Sequence, residues 1–115
     1  MYWITVCQHD GAAATLLNGQ TTYCGEEERY LRYKHARGHI PVNAIAKSLE
    51  FNKIGIKDIK AVFISACKYP DLKKRVQVYF KHYFGHSPEI IMVDHQLSHL
   101  ASAYFPSNFN KSMIL

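Results

Sequence analysis

Apolar runs separated by polar turn residues make up the first 24 residues, which read as strands. Tyr2 to Cys7 is a β-branched and aromatic run that Gly11 breaks, and Ala12 to Leu17 follows as a second run. Asn18-Gly19 closes it, the dipeptide that most readily takes the two positive φ angles of a tight hairpin turn. Gln20 to Cys24 then reads as a third strand, so the chain opens on an antiparallel meander. Gly25 to His39 has no clear period and is dense in charge. It reads as an irregular, ordered functional loop with room for one helical turn.

The period changes after Pro41, which suits the first turn of a helix. Val42, Ile45, Ala46 and Leu49 have the spacing of an amphipathic helix. Ala61 to Ala66 is an almost continuous apolar run, as expected of a strand covered on both faces. Pro70 and Asp71 open a second helix with Leu72, Val76, Tyr79, Phe80 and Tyr83 on one side, and Gly85 ends it. Glu89 to Val93 reads as another buried strand, and Asp94 to Tyr104 as a third helix stopped by Pro106-Ser107-Asn108. The order β-β-β-α-β-α-β-α, three antiparallel strands and then parallel βαβ crossovers, is the ribonuclease-H-like pattern with strand order 3-2-1-4-5. Tyr2–Cys7 should be central, antiparallel to its hairpin partner and parallel to Ala61–Ala66. Met113-Ile114-Leu115 resembles a strand just beginning, which predicts that this chain is a piece of a longer one.

The 115 residues suffice for one domain with a hydrophobic core, without disulfides or metal to fold it. Apolar residues at 48% and charged residues at 20% exclude a disordered or collagen-like chain. No apolar run reaches the roughly 20 residues of a membrane span, and no basic segment precedes Tyr2 as in a signal peptide. A cytoplasmic protein without membrane contact is the expectation. Cys7, Cys24 and Cys67 share no C-x-x-C spacing, so they are expected to be reduced, half-buried packing residues. The formal charge of +5 suits an anionic partner without choosing among nucleotide, phosphate and nucleic acid.

Three histidine pairs have i, i+4 spacing: His35/His39, His82/His86 and His95/His99. Seven histidines placed at random would give fewer than one such pair. On a continuous helix that spacing lets two imidazoles reach one metal ion. Gly38 and Gly85 interrupt the first two pairs, which read as surface residues. His95/His99 has no breaker and follows the end of a parallel strand, where open α/β sheets place ligands. From spacing alone, capping or core-edge histidines are an equal reading. His9-Asp10-Gly11 is an ordinary turn or an anion-binding one with a proton acceptor beside it. Glu26-Glu27-Glu28 with Arg29, Arg32, Lys34 and Arg37 is a solvated charge run or a set of anion clamps braced by carboxylates.

Three segments together resemble one family: His9-Asp10-Gly11-Ala12-Ala13-Ala14, Glu26-Glu27-Glu28-Arg29-Tyr30-Leu31-Arg32-Tyr33-Lys34-His35, and His95-Gln96-Leu97-Ser98-His99-Leu100-Ala101-Ser102-Ala103-Tyr104-Phe105-Pro106-Ser107. In this order they look like the start of the O-carbamoyltransferases of the nodulation-protein and antibiotic-biosynthesis type. The family is several times longer than this chain. Its N-terminal part is similar to actin, the sugar kinases and the tRNA threonylcarbamoyl-transfer proteins, and a second domain resembles a carbamoyl-adenylate-forming module. The resemblance implies that residues 1–115 are the N-terminal part of an actin-like ATPase domain. It implies a reaction in which carbamoyl phosphate and ATP give a carbamoyl adenylate, whose carbamoyl group passes to the hydroxyl of a small molecule.

An iron-like divalent metal would be held by His95 and His99. His9 and Lys34 would be catalytic, with Asp10, Gly11, Arg29 and Arg32 binding substrate. The remainder of the parent chain is an implied partner, and homo-oligomerisation is left open. Gln96 departs from the middle histidine of the family's metal motif, and some members carry an acidic residue where Cys7 stands. The chain also stops before the family's Asp-Gly phosphate turn, so the piece alone is expected to be inactive. The runner-up is a basic ribonuclease-H-like module binding nucleic acid, with Tyr30 and Tyr33 stacking bases. Its basic residues, however, are scattered over helices as well as the loop. A metal-dependent hydrolase is the third reading, but no Glu follows His95 to serve as base.

Overall fold

Asn18 and Gly19 have φ of 51° and 82°, so the predicted turn forms and sets Leu17 opposite Gln20. The structure, a computed structural model, describes residues 1–7, 10–65, 71–111 and 113. Its strands are β1 (Tyr2–Cys7), β2 (Ala12–Leu17), β3 (Gln20–Glu26), β4 (Ile59–Ser65) and β5 (Glu89–Val93). The helices are α1 (Glu28–Leu31), α2 (Val42–Asn52), α3 (Leu72–Phe84) and α4 (His95–Tyr104), with 3-10 turns at Lys34–Ala36 and Ile56–Asp58. The sheet order is β3-β2-β1-β4-β5. β1 is antiparallel to β2 and parallel to β4, and β4 is parallel to β5, so this is an α/β fold on a mixed sheet. Both the order and the central place of β1 are those read from the sequence. Among the described residues, no helix is long and apolar enough to cross a membrane.

The side-chain period of two sorts each strand onto two faces. Ile4, Val6, Ala13, Val62, Ile64 and Ile90 point into one core with Ala44, Ile45 and Leu49 of α2 and Leu72, Val76 and Phe80 of α3. On the other face Trp3, Leu16, Phe63, Ile91 and Val93 are only half-buried. There Trp3 packs on Phe63, with ring centroids 5.5 Å apart, beneath the Lys60 ammonium.

Several expectations need correction. The buried stripe of α2 is Ala44, Ile45, Ser48 and Leu49, while Ala46 is exposed. The face is rotated because Ser48 satisfies its hydroxyl internally, donating to the Ile45 carbonyl at 2.8 Å, and so can be buried. Tyr83 is 55% exposed, because the buried stripe of α3 runs through Leu72, Val76 and Phe80 and ends one turn earlier. β5 is an edge strand rather than a buried one, which leaves Met92 exposed. Cys24 is free and exposed, since it lies on the edge strand β3. Cys67 and the last two residues of Met113-Ile114-Leu115 lie outside the described residues.

Glu27 is the buried residue that periodicity did not predict. It stands between β3 and α1, and no solvent reaches it. Its backbone N–H donates to the Gly11 carbonyl at 2.7 Å. Its carboxylate accepts the Asn43 backbone N–H at 3.2 Å, the Asn43 side-chain amide at 2.7 Å and the Ala44 N–H at 2.8 Å. Pro41, the residue before α2, makes no side-chain cap. Glu27 therefore supplies from a distance the acceptor that the first turn of α2 lacks, and its charge suits that helix end. A carboxylate at this position joins the β1–β2 turn, the end of β3 and α2.

Replacing Glu27 by Ala should strand these buried donors and cost about 3 kcal/mol. In thermal unfolding followed by circular dichroism, the midpoint should fall by roughly 10 °C; an unchanged midpoint would contradict the role. A second expectation concerns alkaline pH. Tyr79 is half-buried, and burial, aided by the Glu27 charge, pushes its pKa up; Tyr23 is pushed up to about 12 by burial and by Tyr30. Folded phenols thus keep their protons after unfolded ones begin to lose them. Their stabilising effect is present below about pH 10 and declines above it. Denaturant midpoints measured from pH 8 to 11.5 should fall above pH 10, and fall less steeply for Tyr79→Phe.

Candidate functional site

The β1–β2 turn and the charged segment fold against each other. The Gly11 N–H donates to the His35 carbonyl at 3.3 Å, while the Gly11 carbonyl accepts from Glu27. A Cβ on Gly11 would stand 3.3 Å from both the Glu27 Cβ and the His39 carbonyl, a tight fit that glycine relieves. Asp10 Oδ1 lies 2.8 Å from His35 Nδ1. The His35 backbone N–H donates to Glu28 Oε2 at 2.7 Å. His35 itself has φ of 65°, a left-handed conformation that these flanking bonds hold in place.

Together these segments line a cleft of about 480 Å³ walled by Asp10, Gly11, Glu26, Arg29, Lys34 and His35. Its charges are largely spent on one another. The Arg29 guanidinium lies 3.3 Å from Glu26 and 3.9 Å from Glu28, and Asp10 holds His35. Among the described residues Lys34 makes no ion pair, so of the cations lining the cleft it is the one whose charge is not offset by a carboxylate. Asp10, Gly11, Arg29 and Lys34, four of the residues singled out from the sequence, meet here. Arg32 does not line the cleft: with φ of 57° it ends α1, its N–H on the Glu28 carbonyl. His9 lies outside the described residues.

His95 and His99 are on the first turns of α4 and are not among the residues that line that cleft. Asp94 caps the helix, accepting the Leu97 N–H at 2.9 Å, so the i, i+4 pair sits on a formed helix. Their Nε2 atoms are 3.1 Å apart, with the rings edge to face. Two bonds of about 2.1 Å from one ion would place ligand nitrogens roughly 3.0–3.4 Å apart. The pair thus fits two positions around a metal ion. Among the described residues no third His, Cys, Asp or Glu joins it. His95 Nδ1 is buried without a hydrogen-bond partner, whereas metal-bound histidines ordinarily donate from the second nitrogen. His82 and His86 are exposed, as their broken spacing implied.

Sequence reasoning missed His35 and Glu27, which connect the segments. His35 was visible as half of an interrupted i, i+4 pair and as the end of a family-like segment, without an assigned role, and its partner is Asp10, 25 positions away. For Glu27 one signal was present: the Pro41-Val42-Asn43-Ala44 start of α2 has no capping Ser, Thr or Asp of its own.

No protein-family model matches the chain. Nodulation protein NolNO of Sinorhizobium fredii (strain NBRC 101917 / NGR234) is 30% identical over 129 aligned residues, a match that takes in 93% of this chain and 19% of NolNO. The chain therefore spans about a fifth of the length of this relative, and is similar to that part of it.

Proposed function

We propose that this chain is part of an ATP-dependent O-carbamoyltransferase with an actin-like, ribonuclease-H-like first domain. The observation that carries the reading is that parts of two separate motifs of the resemblance, Asp10-Gly11 and Glu26 to His35, line one cleft, tied through Asp10, Gly11 and His35. The strand order and the partial likeness to NolNO support it.

In this reading Lys34 takes the negative oxygens of carbamoyl phosphate or of the transferring group, with Arg29 held beside it by Glu26. A cation fixed where charge develops is more effective than a hydrated one, because it needs no reorganisation during reaction. Asp10 orients His35, and Gly11 lets the β1–β2 turn pack closely against Glu27 and the charged segment that carry the cleft. His9 is assigned to the acceptor hydroxyl, as the proton-accepting group of the transfer step. His95 and His99 would hold a divalent, iron-like ion by their Nε2 atoms. When bound, such an ion supplies Lewis-acid stabilisation of nucleotide phosphate charge. Further ligands and the adenylate-forming module are assigned to the rest of the parent protein.

The test compares the 115-residue chain with the longer protein that carries it. The isolated chain should show no carbamoyl phosphate-dependent turnover of ATP, and the longer protein should show it. In the longer protein Lys34→Met should depress kcat/KM by on the order of 100-fold, as expected for one lost electrostatic contact in the transition state. His95→Ala should lower metal content by elemental analysis while His82→Ala leaves it unchanged. Turnover by the isolated chain, or ATP turnover by the longer protein that ignores carbamoyl phosphate, would overturn the proposal.

A further inference from the structure

A second cleft, of about 250 Å³, shares no lining residue with the one around Lys34. Glu27, Leu31, His39, Ile40, Tyr79 and Tyr83 contribute to its lining. Tyr79 and Tyr83 pack together with centroids 4.6 Å apart, and His39 stands edge-on to Tyr33 at 6.2 Å. The Tyr79 hydroxyl is engaged, donating to the Ile40 carbonyl at 3.2 Å, so that side chain offers the cleft mainly its ring. Tyr83 is 55% exposed and holds its ring at the mouth.

Glu27 gives this aromatic cleft its electrostatic character. The carboxylate is fully buried, and all its donors are neutral amides. Among the described residues no Lys or Arg pairs with it. The N-terminus of α2 offsets about half a charge, which leaves net negative potential beneath the rings. Oε2 also accepts only one hydrogen bond, from Ala44, while Oε1 accepts two. Aromatic faces, which carry negative π density, add to the same sign of field. Anions are therefore repelled from the cleft. Small inorganic cations gain little from rings, because they hold their water; a quaternary alkylammonium has no N–H to hydrate and suits both rings and field.

We propose that this cleft binds a small organic cation, a quaternary alkylammonium group seated against Tyr79 and Tyr83 over the buried Glu27 carboxylate. The site is independent of carbamoyl transfer and would stand if that reading fell.

The 115-residue protein would be titrated with tetramethylammonium chloride at constant ionic strength, followed by NMR of the tyrosine and histidine ring protons. Neutral tert-butanol, of similar shape, and sodium chloride serve as comparisons. Saturable shifts of Tyr79, Tyr83 and His39 signals, with a dissociation constant in the millimolar range, are expected. Tert-butanol should bind at least tenfold more weakly. Tyr83→Ala, at an exposed position, should leave the far-ultraviolet spectrum intact and weaken binding at least fivefold. Glu27→Gln tests the charge directly where it folds; where it does not, the tert-butanol and Tyr83→Ala comparisons still decide. No saturation below about 50 mM, equal binding of tert-butanol, or unchanged affinity in Tyr83→Ala would each overturn the proposal.

Discussion

The architecture around both clefts depends on one buried carboxylate. Glu27 is bonded through its backbone to the turn after β1 and through its side chain to the first turn of α2. A lone buried charge is costly, and this one is tolerated because several amide donors and a helix end converge on it. The same convergence fixes three otherwise separate pieces of chain relative to one another. Once α2 is anchored at Asn43 and Ala44, its stripe of Ala44, Ile45, Ser48 and Leu49 faces the sheet. Once Gly11 is anchored at Glu27 and His35, the β1–β2 turn becomes a wall of the larger cleft.

The charged segment thereby changes meaning. Three consecutive glutamates with neighbouring cations read equally as solvated surface or as braced anion clamps, and in the fold each glutamate has a different task. Glu26 holds Arg29, Glu27 is buried under α2, and Glu28 accepts the His35 N–H. Exposed pairs such as Arg29 with Glu26 contribute little stability, because water screens them and long side chains lose freedom. Their effect is on placement: the acids consume neighbouring donors and, among the described residues, leave Lys34 without a carboxylate. A mixed-charge cleft thus presents one cation rather than a uniform positive surface.

Helix α4 illustrates a different limit. Its Asp94 cap and continuous backbone bring His95 and His99 Nε2 atoms to 3.1 Å. Nothing on α4 is fully buried, and Leu97 and Phe105 are exposed. The helix presents a pair of metal-capable nitrogens without enclosing them. A tightly held ion needs three or four ligands, so two imidazoles form half of such a site.

Local pattern determined the strands, the Asn18-Gly19 turn, the three longer helices and the sheet order. The physical reason is that each rests on interactions within a few residues, or on the handed crossover rule for parallel strands. The same local logic recovered the i, i+4 geometry of His95 and His99. It failed where burial depended on a distant partner. Ala46 and Ser48 exchanged places because a serine that bonds its own helix carbonyl can enter a core. Glu27 became a core residue because Asn43 and Ala44, 16 and 17 positions away, supply its donors. Asp10 met His35 across 25 positions. Hydrophobic periodicity records which side chains avoid water, but a buried charge is set by whether donors arrive from elsewhere in the chain. Only the tertiary structure decides that.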